Sequence, residues 1–287
     1  MTKQNKNWYI ETLHKDFCQK LEVEKSIYSG FTKFQKIEIF ENMTLGRVLV
    51  LDDIVQTTEA DEANYHEMLV HVPAFTIGKF GKVLIIGGGD GGALREVLKH
   101  HVDEVTLVEI DKDVIEYSKK FLPNLSSGSF EDCRLNLIID DGCEFIKSVN
   151  TKYDLIIVDS TDPIGPGKVL FEENFYIDCK GKLSNNGIIV TQSGVPFLQP
   201  KEFKFTSFNL NKVFKYSGFY FTVVPSYSGG MMALGWGSKE TNMSKINKNK
   251  INSILLNFNY FMKYYNLDMH ISSFAMPQMY KDLINKL

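Results

Sequence analysis

Lys82–Leu94 reads KVLIIGGGDGGAL. Its first half is an apolar, β-branched run of the kind buried on both faces of a parallel sheet, and its second half packs five glycines into the six positions around Asp90. The pattern predicts strand, tight turn and helix start. Gly87, Gly89 and Gly92 satisfy the G-x-G-x-x-G spacing, in which missing Cβ atoms allow a sharp turn, close approach of a ligand and close helix packing. Alone, such a turn need do no more than join a strand to a helix. After the helix-like Arg95–His100, however, comes a second strand, Val105–Ile110, with Glu109 and Asp111 at its end. An acidic side chain about 20 residues beyond the glycines is placed to accept hydrogen bonds from a ribose diol. A nucleoside-bearing ligand at the carboxyl edge of a parallel sheet is therefore expected.

The alternation continues downstream. Val114–Phe121 has a helical pattern and stops before Pro123; Arg134–Ile139 is a third strand ending in Asp140-Asp141-Gly142. Tyr153–Val158 is a fourth, followed by Asp159-Ser-Thr-Asp162-Pro163. Glu172–Leu183 reads as a helix, Gly187–Gln192 as a fifth strand and Phe203–Phe214 as a further helix. Tyr220–Val224 and Met231–Trp236 look like a closing antiparallel hairpin whose turn, Pro225–Gly230, presents Tyr227. The polar Lys239–Lys250 is expected to be a mobile surface loop. Repeated strand, helix, strand predicts an α/β fold with a doubly wound, mostly parallel sheet. Parallel strands bring their carboxyl ends together, so Asp90, Glu109, Asp141, Asp159 and Asp162 should share one rim. An aspartate after a strand is commonly a turn former or N-cap, which accounts for any one of these better than for all five. The Pro- and Gly-rich Asp162–Lys168 follows that rim and is a candidate lid.

Upstream, residues from about 8 to 58 alternate apolar and polar in short runs (Phe17–Val23, Ile37–Phe40, Arg47–Leu51, Ile54–Thr57). They predict a small antiparallel β unit, too slight to stand far from a larger body. The division expected is residues 1–60 for this unit and 61–287 for the main domain. Acidic residues then crowd Thr58–Glu62, and Tyr65, Met68, Leu69 and Val72 recur at helical spacing before Pro73. A tyrosine on such a stripe is ordinarily core, and a lone histidine such as His66 ordinarily a satisfied structural residue.

Composition narrows the class. With 287 residues, 44% of them apolar, the chain can bury a full core. A net charge of −3 with no basic cluster argues against a nucleic-acid partner and for cationic ones. Cys18, Cys133, Cys143 and Cys179 are scattered, without C-x-x-C or ligand-spaced His, so no metal is expected and the thiols suit a reducing cytoplasm. The polar N-terminus and the lack of a long apolar run predict neither signal peptide nor membrane span.

Three chemistries compete. A dinucleotide (NAD) dehydrogenase explains Glu109 but leaves Asp141-Gly142 and the Asp159/Asp162 pair with nothing to do. A transferase using an adenosyl sulfonium occupies them all, with the ribose at Glu109, the adenine amino group at Asp141 and the site of alkyl transfer at Asp159. A non-catalytic nucleotide-binding module is opposed by the clustered carboxylates, whose repulsion needs an offsetting cation.

GGGDGG with VEID, DDG, DSTDPIGP, the earlier LDDIVQTTEADEANYHEM and the late YYNLDMH make the chain resemble the polyamine aminopropyltransferases, the spermidine synthase family, from about Trp8 to Gln278. The resemblance implies a methyltransferase-like Rossmann domain carrying an N-terminal β domain, in a homodimer or homotetramer. It also implies aminopropyl transfer from decarboxylated S-adenosylmethionine, a co-substrate rather than a prosthetic group, to putrescine, releasing spermidine and 5′-methylthioadenosine. By position it makes Asp159 the proton acceptor, sets Gln35, Glu109, Asp141, Gly142 and Pro166 around the methylthioadenosine part, and sets Asp90 on the aminopropyl amine. Tyr65, His66, Asp162, Gln192 and Tyr227 then line the diamine channel, with Tyr65 assisting Asp159. His66 stands where some relatives have Gln. The charge logic agrees, since Asp90 would repel the carboxylate of ordinary S-adenosylmethionine. A diamine N-methyltransferase is the nearest rival within the fold.

Overall fold

The computed structural model describes residues 7–161 and 165–285 and begins with two antiparallel sheets. A hairpin of β1 (Asn7–His14) and β2 (Phe17–Val23) precedes a four-stranded sheet of β3 (Lys25–Phe31), β4 (Lys36–Asn42), β5 (Gly46–Leu51) and β6 (Ile54–Thr58), each paired with the next. The unit is larger than its sequence runs suggest, because β1 and β3 are mostly solvent-facing and carry little apolar alternation. Ile37, Ile39, Leu49 and Leu51 pack onto Val114, Leu122 and Leu125 of the main body, so the small sheet shares a core with it.

Helix α1 (Glu62–Ile77) then enters the interior. It is buried on every side from Tyr65 to Phe75, which is why a single apolar stripe describes it poorly. Pro73 lies inside α1 and cannot donate to the Leu69 carbonyl. The Tyr220 hydroxyl reaches that region instead, donating to Met68 O at 3.1 Å with Leu69 O at 3.5 Å.

The main sheet is assembled from β7 (Lys82–Gly87), β8 (Glu104–Glu109), β9 (Leu135–Ile139), β10 (Tyr153–Asp159), β11 (Leu183–Gln192), β12 (Tyr216–Val223) and β13 (Met231–Ser238). Its order is β12-β13-β11-β10-β7-β8-β9; the run from β11 to β9 is parallel, and β13 is antiparallel to β11 and β12. Helices α2 (Gly92–Leu98), α3 (Lys112–Phe121), α4 (Pro123–Ser126), α5 (Gly142–Ser148), α6 (Glu173–Lys182) and α7 (Pro200–Val213) connect and cover these strands, and α8 (Lys248–Leu255), α9 (Leu267–Ser273) and α10 (Gln278–Asn285) complete the described chain. One cluster packs Leu69, Val72, Ile85, Leu94 and Leu155 on one side, and another packs Leu84, Ile156, Tyr176 and Ile189 on the other, so β7 and β10 are buried on both faces. The strand order reverses direction between β7 and β10, the place where open α/β sheets bind ligands.

Two loop expectations are corrected. Gly165–Phe171 is a 3-10 turn rather than open loop, while residues 162–164 of the expected lid lie outside the described residues. The segment after Lys239 is anchored rather than mobile, because Met243 is fully buried in the main core and Ile246 packs against it.

Candidate active site

Gly87 and Asp159 are register partners at the ends of β7 and β10. Gly87 has φ +83°, and a Cβ there would stand 2.1 Å from Asp159 O, so only glycine lets the two strand ends meet. Gly88 N–H then donates to the same carbonyl at 2.8 Å. The glycine turn thereby fixes the Asp159 side chain over the carboxyl edge of the sheet. A cavity of about 280 Å³ opens there, walled by the strand ends and by Gln35, Leu49, Leu51, Val55 and Gln56 of the N-terminal sheet.

Of the residues singled out from the sequence, Gln35, Tyr65, His66, Asp90, Glu109, Asp141, Gly142, Asp159, Gln192 and Tyr227 all line this cavity. Asp162 and the side chain of Pro166 lie outside the described residues. The structural and ligand-facing readings of the strand-end carboxylates coexist. Asp141 caps α5 by accepting from Cys143 N at 2.7 Å, and Asp90 Oδ1 accepts from Gly92 N at 2.7 Å, yet both side chains border the cavity.

Tyr65 is core by burial and something more by contact: its hydroxyl donates to Asp159 Oδ1 at 2.7 Å. Burial, then the Asp159 charge, holds the phenol well above its ordinary pKa, so it stays a donor. Asp159 itself is pushed up to about 6, chiefly by burial, with the Asp90 charge adding and His66 and the Tyr65 hydroxyl opposing. Glu109 is pushed up to about 7 by burial, which the charges of Asp111 and Asp159 reinforce and the Asp111 N–H, donated to Glu109 Oε1 at 2.9 Å, partly offsets. His66 is not a merely satisfied structural residue. Nδ1 lies 2.8 Å from Glu62 Oε2 and Nε2 3.4 Å from Asp90 Oδ2, and although burial opposes the charged ring, Asp90 and Glu62 outweigh it and hold the pKa well above the ordinary value. One atom each from His66, Asp90 and Asp159 lie within 4.8 Å of one another, an environment that attracts a cation.

Glu62, Arg95 and Gln199 carry no functional signal of their own in the sequence. Glu62 and Arg95 stand behind His66, with Arg95 Nη2 2.8 Å from Glu62 Oε2; only the four-residue spacing of Glu62 and His66 on one helix hints at the arrangement. Asp111, 1% exposed, accepts from Gln35 Nε2 at 2.9 Å and Thr32 Oγ1 at 2.6 Å, clamping the β3–β4 turn to the end of β8. The Gln192 amide donates to Thr161 O at 3.1 Å and accepts from Gly194 N at 2.9 Å. Tyr227 donates its hydroxyl to Gln56 O, joining the β12–β13 turn to the N-terminal sheet. Gln199, whose carbonyl oxygen accepts from Val195 N at 2.7 Å, also lines the cavity.

A family model described as spermine/spermidine synthase domain matches residues 62–248, and one described as spermidine synthase tetramerisation domain matches residues 7–59. A polyamine aminopropyltransferase of Pseudomonas syringae pv. tomato is 47% identical over 279 residues, 97% of this chain and 98% of that protein. Another, from a Ruegeria species, is 48% identical over 277 residues, 96% of this chain and 98% of that one. Among solved structures, a spermidine synthase in complex with the transition state analogue AdoDATO superposes with a TM-score of 0.93 at 39% identity, covering 99% of this chain and 97% of that one. The spermidine synthase of Thermotoga maritima superposes at 0.90 with 38% identity, over 99% and 96% of the two chains. The fold, the strand-end cavity and these likenesses agree, and the chain belongs to the spermine/spermidine synthase family of aminopropyltransferases.

Proposed function

We propose that this enzyme transfers the aminopropyl group of decarboxylated S-adenosylmethionine to putrescine, giving spermidine and 5′-methylthioadenosine. The observation that carries the reading is the Tyr65–Asp159 hydrogen bond beside Asp90 in one acidic cavity. In this reading Glu109 accepts from the ribose diol, Gln35, Asp141, Gly142 and Pro166 surround the rest of the nucleoside, and Asp90 receives the aminopropyl ammonium. His66, Gln192 and Tyr227 border the acceptor's path, and the same assignment would set Asp162 on that path.

The chemistry is a displacement. The acceptor nitrogen attacks the carbon beside the sulfonium, the N–C bond forms, the C–S bond breaks, and its electron pair neutralises sulfur as a thioether. A primary amine of pKa near 10.4 is mostly charged at pH 7, and neighbouring carboxylates reinforce that charge. An ammonium has no lone pair, so a proton must leave the near nitrogen before it attacks. Asp159, its carboxyl pushed up to about 6, accepts that proton as the nitrogen aligns with the carbon, the adjacent sulfonium disfavours a second positive charge, and the Tyr65 hydroxyl holds the carboxylate in line.

We further propose that the division near residue 60 separates two domains, that the chain assembles as a homodimer or homotetramer, and that it works in the cytoplasm. The match of residues 7–59 to a tetramerisation domain supports the assembly. Among the described residues no helix is long and apolar enough to cross a membrane, and the four cysteines are free, as a reducing compartment favours. Incubation of the purified protein with putrescine and, separately, decarboxylated S-adenosylmethionine, ordinary S-adenosylmethionine and NAD, followed by product mass, tests the reaction. Aminopropyl addition with the first alone is expected; methylation or oxidation would overturn it.

A further inference from the structure

The carboxylates offered to the cationic substrates already have a positive partner. His66, 1% exposed, is held between Glu62 at 2.8 Å on Nδ1 and Asp90 at 3.4 Å on Nε2. An ionised carboxylate can only accept, so Nδ1 carries the proton toward Glu62, and Nε2, in ion-pair contact with Asp90, faces that carboxylate favourably only when it too is protonated. Gly92 makes room for the ring, since a Cβ there would lie 2.3 Å from His66 Cε1. Behind the ring, Arg95 binds Glu62 at 2.8 Å and is itself held by Glu96 at 2.7 Å. Glu62 and Arg95 are not among the described residues that wall the cavity; Glu62 reaches the site through His66, and the Arg95 charge also bears on Asp90.

We propose that Glu62 and Arg95 are positioning residues that keep His66 as a resident counter-charge for Asp90, and that an alkylammonium arriving at Asp90 displaces that charge as a proton released to solvent. Substrate binding is then an exchange of one cation for another. The inference rests on the reading of Asp90 as the seat of the aminopropyl amine. The charged and titratable groups facing His66 are Glu62 and Tyr65 on α1, Asp90 after β7, Asp159 at the end of β10 and, beyond Glu62, Arg95 on α2. When an ammonium takes Asp90, it removes one of the two carboxylates that stabilise the imidazolium and sets a like charge beside it. The ring then keeps Nδ1–H, donated to Glu62, and turns an Nε2 lone pair toward the incoming N–H groups.

The exchange also resolves a difficulty in selectivity. While His66 is charged, the Asp90 corner is an ion pair, and a carboxylate on the incoming arm would find an imidazolium there. Once His66 is neutral, the corner accommodates only a cation. Rejection of a carboxylated arm thus follows from the ammonium that triggers the exchange.

The test is nitrogen NMR of the full chain labelled with ¹⁵N-histidine at pH 7, with His66 assigned by its disappearance in His66→Gln. The free protein and its complex with 5′-methylthioadenosine, which has no amine, are expected to show an imidazolium. Addition of spermidine, whose aminopropyl arm ends in the same amine, should convert the ring to the neutral form protonated on Nδ1. Calorimetry of spermidine binding in phosphate and in Tris should give about one proton more released by the wild type than by His66→Gln. Glu62→Gln should show a neutral ring before any ligand is added; if that variant does not fold, the wild-type spectra still decide. A ring that stays charged with spermidine bound, or is neutral in the free protein, overturns the exchange and leaves the functional reading standing. Failure of spermidine to bind at all overturns that reading and the exchange with it.

Discussion

His66 and His71 stand on the same helix, each buried and each beside a carboxylate bound by the one Arg95, yet their surroundings differ. His71 Nε2 lies 2.8 Å from Glu96 and its Nδ1 2.9 Å from His100 Nε2, while Arg95 and Lys99 neutralise Glu96, each at 2.7 Å. Phe75, Phe258 and Tyr265 pack around these rings. Every partner is internal, and burial together with His71 holds His100 well below its ordinary pKa, uncharged. The His66 cluster has Glu62 as its carboxylate, shares Arg95 with the His71 cluster, lacks a second histidine and a lysine, adds Asp90 and Asp159, and faces a cavity. The difference lies in charge: a buried polar cluster that closes on itself holds helices together, whereas one left with surplus carboxylate is a place for a cation.

The largest test of that contrast is Asp159→Asn. Loss of the proposed proton acceptor should lower kcat by about 10²–10⁴-fold across pH 7 to 9, measured as spermidine formed under saturating substrates. Near-wild-type turnover would remove Asp159 from its role. The same change should stabilise the free protein. A carboxyl whose folded pKa is raised to about 6 favours folding while neutral, and that contribution is lost as pH rises from near 4 through about 6. At pH 8 the asparagine variant should therefore gain on the order of 1–2 kcal/mol in denaturant unfolding, a stability cost of function.

On the closed side, His71→Leu should cost about 1–3 kcal/mol of stability by leaving His100 and Glu96 short of a partner, with kcat and KM of the folded protein unchanged. A large change in kcat would show that the two clusters are one unit.

The smallest effect is a pH profile. Glu109 is pushed up to about 7, and in the proposed reading it accepts a ribose diol fully only when ionised. Binding of 5′-methylthioadenosine should be flat above pH 7 and weaken toward tenfold per unit below it, read by calorimetry from pH 5.5 to 8.5. A profile flat through pH 6 would mean that the diol does not depend on that charge.

What the sequence exposes and what it hides follow from the same physics. A parallel strand buried on both faces writes a continuous apolar run, and a crowded strand end writes glycine, so β7 and its turn are legible without coordinates. The rim of carboxylates is legible because parallel strands bring distant residues to one edge. The Glu62–Arg95 pair is not, since its members are 33 positions apart and no periodicity joins them. Arg47, Arg95 and Arg134 are the only arginines in the chain, and their scarcity signals nothing by itself. In the structure each reaches a backbone carbonyl or carboxylate of another segment, work suited to a rigid, permanently charged fork. Strands β1 and β3 are hidden for the opposite reason from α1: they bury too little to show a period, and α1 buries too much.

In the proposed reading, surplus negative charge at one sheet edge selects cations, with Asp90 as its most selective member. The inhibition constant of ordinary S-adenosylmethionine against its decarboxylated form, compared between wild type and Asp90→Asn, tests this most directly. Weak inhibition of the wild type is expected, with a tightening of about tenfold or more in the variant, because the repulsion of the extra carboxylate is gone. An inhibition constant unchanged by the substitution would contradict it.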